Sequence, residues 1–404
     1  MNRKWHFGSV ALTALLVTMV ASGCAIGGGP DNPTPGPQAA ASPRASGTPG
    51  TPMAMASGTA MMVSPTAMAM LSPTAMMTTT GGPLKSLKVG VIETTVQPAL
   101  EAAIKGFKDQ FAAKGYTEGT NISFDVKQGA GDAATLSQIA TVFFDPSKGY
   151  DMVLAVGTAA LKAAVNEGKA NPAMPIIFVA ISDPYGAGIG VKSPTDHPAN
   201  ITGIQDSPPV TDALKLVLEV LPNVKNVGLL WNPSEPNSTY STDLARSAAA
   251  SLGLNLIEQT TATNDDLGQA ANALADKGAQ VFFVSTTNSV VQRLPSIAKV
   301  SGEREPKIPL FGNDFLSAGR GAVAAYGLDY SDSGMQAADL ALQVAEGKTV
   351  KEIAIKQQTK TLLYVNTYYA GQQAVKLPDA VKGRAAQVID SAAPTALPAT
   401  PVKK

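Results

Sequence analysis

The chain has 404 residues, and its 31 basic and 31 acidic side chains cancel. At about 150 residues per domain that length predicts two or three domains, and the even charge gives no field for nucleic acid or an anionic surface. One cysteine excludes an intrachain disulfide, and two histidines leave little for a zinc site or for Cys–His or Ser–His catalysis.

Residues 1–24 read MNRKWHFGSVALTALLVTMVASGC. Arg3 and Lys4 make a basic start, and residues 7–21 form an apolar run shorter than the ~20 residues of a membrane span. This is signal-peptide architecture, expected to end at residue 23. Ala21-Ser22-Gly23-Cys24 also resembles a bacterial lipobox, which would make Cys24 the lipidated (palmitate-bearing) first residue of the mature chain. Ala21 stands where Leu is more usual, and a plain secretory signal with an incidental cysteine is the alternative.

Residues 24–84 are low in complexity, with Asp31 and Arg44 as the only charges. Such a segment cannot bury enough apolar surface to fold and reads as a tether. Eight methionines lie in it: Met53, Met55, Met61, Met62, Met68, Met70, Met76 and Met77. Thioethers in such runs can hold Cu(I); repeat expansion of a tether explains them equally, and no metal or cofactor is called for.

The folded body starts near residue 85. Apolar runs at 88–93, 151–156 and 176–181 read as strands buried on both faces, and 122–127 alternates as a strand. Helical spacing fills 98–114, 133–144 and 158–168. This βαβα order predicts a parallel doubly wound sheet. After an extended piece at 200–206 and a helix at 210–221, a second series begins at Val227. It has strands near 227–231, 254–259, 281–285 and 308–311, and helices at 244–252, 267–277 and 290–301. Residues 322–326 read as a strand returning to the first lobe, followed by a helix at 333–346, an extended crossover within 353–365 and a last helix at 367–374. Residues 385–404 read as a flexible tail. The fold class is α/β, with two Rossmann-like lobes.

Most strands end in Thr, Ser, Asn, Asp or Gly, as in VGLLWNPSEPNS at 227–238. In open α/β sheets ligands bind beyond the carboxyl ends of strands, so two such lobes would face one cleft. The body resembles the ABC-transporter substrate-binding lipoproteins of the tryptophan/tyrosine type. The matching stretches include GFKDQFAAKGYTEGTNISFDVKQGAGD (106–132), PIIFVAISDPYGAG (175–188), NITGIQD (200–206), VLPNVKNVGLLWNPSEPNS (220–238), VSTTNSVV (284–291), IPLFGND (308–314) and GAVAAYGLDYSDSGMQAA (321–338). The resemblance implies a type I periplasmic-binding-protein fold with three crossovers and hinge closure on a ligand. It places lobe 1 at 85–203 plus 322–351 and lobe 2 at 204–321 plus 352–384.

For an amino-acid ligand, the helix start at Thr158 and Ala159 would offer amides to the carboxylate; Thr158 is equally a plain N-cap. Ser182, Asp183 and Asp314 follow strands and would receive an ammonium group, although Asp183 in SDPYG is also a turn aspartate. Asn232, Ser234, Glu235, Asn237 and Ser238 would supply hydrogen bonds from the second lobe, with Asn237 and Ser238 also readable as helix caps. Thr286 and Asn288 form the next polar cluster. Gln97 and Thr287 stand where relatives often carry His and Asp, which leaves the ligand open. Trp231, Phe315, Tyr185 and Tyr326 are candidate aromatic walls, each also readable as core or rim. His197 reads as a solvated loop residue.

No nucleophile–base pair, carboxylate pair or phosphate loop is evident, so no enzyme is expected. The expectation is a monomeric lipoprotein on the extracytoplasmic side of the cell membrane. It would bind a small polar ligand, with an aromatic amino acid implied by the resemblance, and deliver it to an ABC permease. A lipoprotein that senses the ligand and signals through a membrane receptor is the alternative.

Overall fold

The computed structural model describes residues 84–262 and 266–392. Cys24, the signal segment, the Met-rich tether and residues 393–404 lie outside the described residues. Among the described residues no helix is long and apolar enough to cross a membrane.

The first series is β1 (Leu87–Glu93), α1 (Pro98–Ala113), β2 (Ile122–Gln128), α2 (Ala133–Phe144), β3 (Met152–Val156), α3 (Thr158–Gly168), β4 (Ile176–Ile181) and β5 (Ile201–Gln205). Every residue of β3 is buried, as a central strand with helices on both faces requires. Along β1, Val89 and Val91 enter the core under α1, while Ile92 enters the opposite core with Phe143 and Leu161.

The second series is α4 (Val210–Val220), β6 (Asn226–Trp231), α5 (Pro236–Ser251), β7 (Asn255–Thr260), α6 (Leu267–Asp276), β8 (Val281–Val284), α7 (Asn288–Gln292), α8 (Leu294–Glu303), β9 (Leu310–Gly312) and β10 (Ala324–Leu328). The stretch read as one helix at 290–301 is two. Pro295 lacks an N–H and its ring crowds the carbonyl four residues back, so the helix breaks at Arg293.

The chain then returns. α9 (Tyr330–Ala345) packs on α1 so closely that a Cβ at Gly334 would lie 1.9 Å from the Ala103 carbonyl oxygen, and one at Gly106 would lie 2.0 Å from that of Ser331. β11 (Lys356–Gln357), β12 (Thr361–Asn366), α10 (Thr367–Gln372), α11 (Asp379–Arg384) and β13 (Gln387–Ile389) complete the fold. One sheet runs β11-β5-β4-β3-β1-β2 and is parallel throughout; the other runs β13-β12-β10-β9-β8-β6-β7, with β12 antiparallel to β10.

Three expected boundaries move. β10 pairs with β9 in the second sheet, so only α9 returns to the first lobe. β11 pairs with β5, which keeps 356–357 in the first lobe. β13 pairs with β12 where a tail was expected. The three crossovers therefore fall just after Gln205, at Asp329 and at Gln358. His197 is also not solvated: it is 3% exposed.

Buried polar groups knit the crossovers together. Asp206 accepts from the Ala180 amide and from Ser333 Oγ, both at 2.6 Å. Gln358 Nε2 donates to the Asp329 carbonyl at 3.0 Å and to Ser333 Oγ at 3.2 Å.

Candidate ligand-binding cleft

The carboxyl ends of β1, β3 and β4 face those of β6, β8 and β9 across one cleft. It has two compartments. The inner one, about 20 Å³, is lined by Gln97, Thr158 and Ser182 from the first lobe and Asn237, Thr286, Asn288 and Asp314 from the second, with Leu100, Val291 and Tyr330 as apolar surface. The outer one, about 400 Å³, runs from Ala159, Lys162 and Asn166 on α3 to Ser234, Glu235 and Gln292 opposite. Asn237 and Asn288 line both.

β3 delivers α3 to the cleft through Gly157, at φ 87° and ψ 154°, a region essentially reserved for glycine. A Cβ there would lie 2.6 Å from Thr94 Oγ1. Thr94 Oγ1 accepts from the third amide of α3, that of Ala160, at 3.1 Å, and the N-cap, Gly157, has no side chain to take the first two. The amides of Thr158 and Ala159, without intrahelical acceptors, therefore make a polar, positively biased end to the inner wall.

Asp314 is the negative end. It is 3% exposed, and one carboxylate oxygen accepts from the Leu316 amide at 3.1 Å. Burial pushes its carboxyl up to about 6, against the opposing pull of that amide and of Arg320. Arg320 Nη2 is committed to the Gln292 carbonyl at 2.7 Å. The hydroxyls of Thr158 and Thr286 are buried without a hydrogen-bond partner. Buried hydroxyls are almost always paired, so both are available to a bound group.

Ten of the thirteen sequence-predicted residues line one compartment or the other: Gln97, Thr158, Ala159, Ser182, Ser234, Glu235, Asn237, Thr286, Asn288 and Asp314. Three do not. Asp183 Oδ1 accepts from the amides of Tyr185 and Gly186 at 3.1 and 2.9 Å, closing its own turn. Asn232, 1% exposed, holds the loop after β6 by accepting from the Ser234 amide at 3.0 Å. Ser238, fully buried, is spent on the Asn232 amide and on Thr287 Oγ1 at 2.7 Å.

Glu235 lines the outer compartment with its carboxylate engaged. It accepts from the amides of Asn288 at 2.8 Å and Ser289 at 3.0 Å, capping α7 from another loop. None of the four candidate aromatic walls lines either compartment. Phe315 packs on Tyr364 in the core with ring centroids 4.8 Å apart, and Trp231 carries Arg246 at 5.2 Å. The ring at the inner wall is Tyr330, whose phenol is held well above its ordinary value by burial and by the nearby Asp314 and Asp206. Its only trace in the sequence is Asp329, the α9 cap, which reads as an ordinary helix start.

Residues 88–389 match the family described as ABC transporter substrate binding protein. A tyrosine-binding protein of Clostridioides difficile is 33% identical over 282 residues, which is 70% of this chain and 79% of the relative. Among solved structures, a domain from Streptococcus pneumonia in complex with L-Trp matches at TM-score 0.68 and 23% identity, over 76% of this chain and all of that one. The ligand-free, open structure of a substrate-binding protein from Clostridium difficile matches at TM-score 0.57 and 27% identity, over the same shares. With two lobes and an interlobe cleft in place, a match that spans the body from β1 to β13 identifies the chain as a member of the ABC transporter substrate-binding family, a binding protein and not an enzyme.

Proposed function

We propose that the protein is a monomeric, lipid-anchored receptor on the extracytoplasmic face of the membrane. It captures an amino-acid zwitterion, of the aromatic class, in the cleft between the lobes and delivers it to an ABC permease. The reading rests above all on one juxtaposition: the start of α3 at Thr158 and the buried carboxyl of Asp314 line the same small cavity. A carboxylate suits the first and an ammonium the second. Leu100, Val291 and Tyr330 offer apolar surface between them. The names of the relatives, tyrosine-binding in one case and bound to L-Trp in another, support the aromatic class. Anchoring would run through Cys24.

A thermal-shift screen of the purified protein against the twenty amino acids, nucleosides and sugars tests this. A ligand held only by the folded state stabilises it by about 2.7 kcal/mol at a hundredfold excess over Kd. L-Tyrosine or L-tryptophan should raise Tm by several degrees, and their decarboxylated amines should not. A response to sugars or nucleosides alone would overturn the zwitterion reading.

A further inference from the structure

Two hydrogen-bonded bridges cross the cleft, and both start from α7. Gln97 Nε2 donates to Asn288 Oδ1 at 2.7 Å. One turn further on, Gln292 Nε2 donates to Thr95 Oγ1 and, at 3.1 Å, to the Val96 carbonyl. Positions four apart share a helix face, so α7 presents both amides to the loop at 95–97 that leads into α1. Val96 in that loop is 47% exposed, while Thr95 and Gln97 on either side of it are buried.

A five-residue helix would not hold this position unaided. Each of its ends is fixed by a charged side chain of the second lobe: Glu235 receives its first amides and Arg320 donates to its last carbonyl. Gln97 and Asn288 satisfy each other at the very place where the sequence assigns them to the ligand.

We propose that α7 is the latch of the closed cleft, and that Gln292 is a positioning residue that sets how long a ligand is retained by holding the 95–97 loop. The bridges exist only when the lobes meet. Gln292 lines the outer compartment and not the inner one. Its removal weakens the closed arrangement of the lobes and leaves the fold of each lobe alone.

The test uses L-tyrosine and L-tryptophan as probes, with association and dissociation rates measured separately for wild type, Gln292→Ala, Gln292→Glu and Thr95→Val. Dissociation should quicken roughly three- to tenfold in Gln292→Ala and Gln292→Glu. Association should change less than about twofold, and the ligand-free Tm should stay within about 1 °C of wild type. Thr95→Val should add little once Gln292 is gone, because the two share one bond. Unchanged dissociation, or an equal loss of ligand-free stability, overturns the latch. If neither probe binds wild type, the zwitterion reading fails on its own, and the latch is then judged by small-angle scattering. Gln292→Ala should give a larger radius of gyration than wild type, and an identical radius would overturn it.

Discussion

Asp314 is a carboxylate that folding holds in a place where ionisation is costly. Burial dominates and lifts its pKa to about 6. A ligand ammonium beside it favours the ionised form, so binding must expel any proton present. Above about pH 6 there is none to expel and affinity should be flat. Below that, affinity should fall by up to about tenfold per pH unit. Asp314→Asn removes the charge and should cost about 1.5–3 kcal/mol, roughly 10- to 150-fold in Kd, while flattening the profile. Calorimetric titration of L-tyrosine between pH 4.5 and 8 checks both; a pH-independent Kd in wild type would take Asp314 out of ammonium recognition. The sequence made Asp314 legible because it follows a strand. The same signal marked Asp183, whose carboxylate the structure gives to the amides of Tyr185 and Gly186. A short polar side chain after a strand can turn inward to its own loop or outward to the cleft, and local sequence does not choose between them.

At the scale of elements, the site depends on α3 arriving with its first amides unspent, and Gly157 makes that arrival possible. Gly157→Ala places a methyl group against Thr94 Oγ1 and forces a side chain into a backbone region that suits only glycine. The strain should cost roughly 1–3 kcal/mol. Relief would come by moving the start of α3, so binding of L-tyrosine should weaken at least about tenfold even where urea melts still show a folded protein. A variant with lowered stability and intact affinity would show that α3 is scaffold and not binding surface. Most elements were legible because apolar periodicity marks strands and helices directly. Partners were less so. β10 reads as a strand wherever it pairs, and nothing in AAYGL says that it joins β9 and not the first sheet. α7 is too short for periodicity to separate it from α8. The latch residues escaped notice for the same reason, since Gln292 and Thr95 lie 197 positions apart and are joined only by the closed fold.

At the scale of the whole molecule, the crossovers converge on Asp206, which is 1% exposed and lies just past β5. Its carboxylate receives the Ala180 amide and the Ser333 hydroxyl, while Asp332 adds like-charge repulsion. Lys360 reaches Asp329 at 2.9 Å and Asp332 at 3.4 Å, leaving Asp206 without that cation. Burial pushes Asp206 up to about 7 from an ordinary 3.8. The native state thus holds a proton that the unfolded chain releases. The resulting stability is fully present below about pH 4 and is lost as pH rises through about 7. Ser333 Oγ lies 3.3 Å from the Asp329 carbonyl, so it can donate there when a protonated Asp206 donates to it. Asparagine reproduces that arrangement, with its oxygen on the Ala180 amide and its amide on Ser333. Asp206→Asn should therefore match wild type near pH 4.5 and exceed it near pH 8, by at least about 2 °C in Tm. Asp206→Ala strands both donors and should lose about 1–3 kcal/mol at either pH. Asp314 and Glu93, raised to about 6 and about 7 by burial, tilt the wild-type curve the same way. The decisive quantity is accordingly the difference between wild type and Asp206→Asn across the pH range, measured by thermal melts of the ligand-free protein. A difference that does not change with pH would mean that the crossovers are held by Asp206 as a permanently charged acceptor.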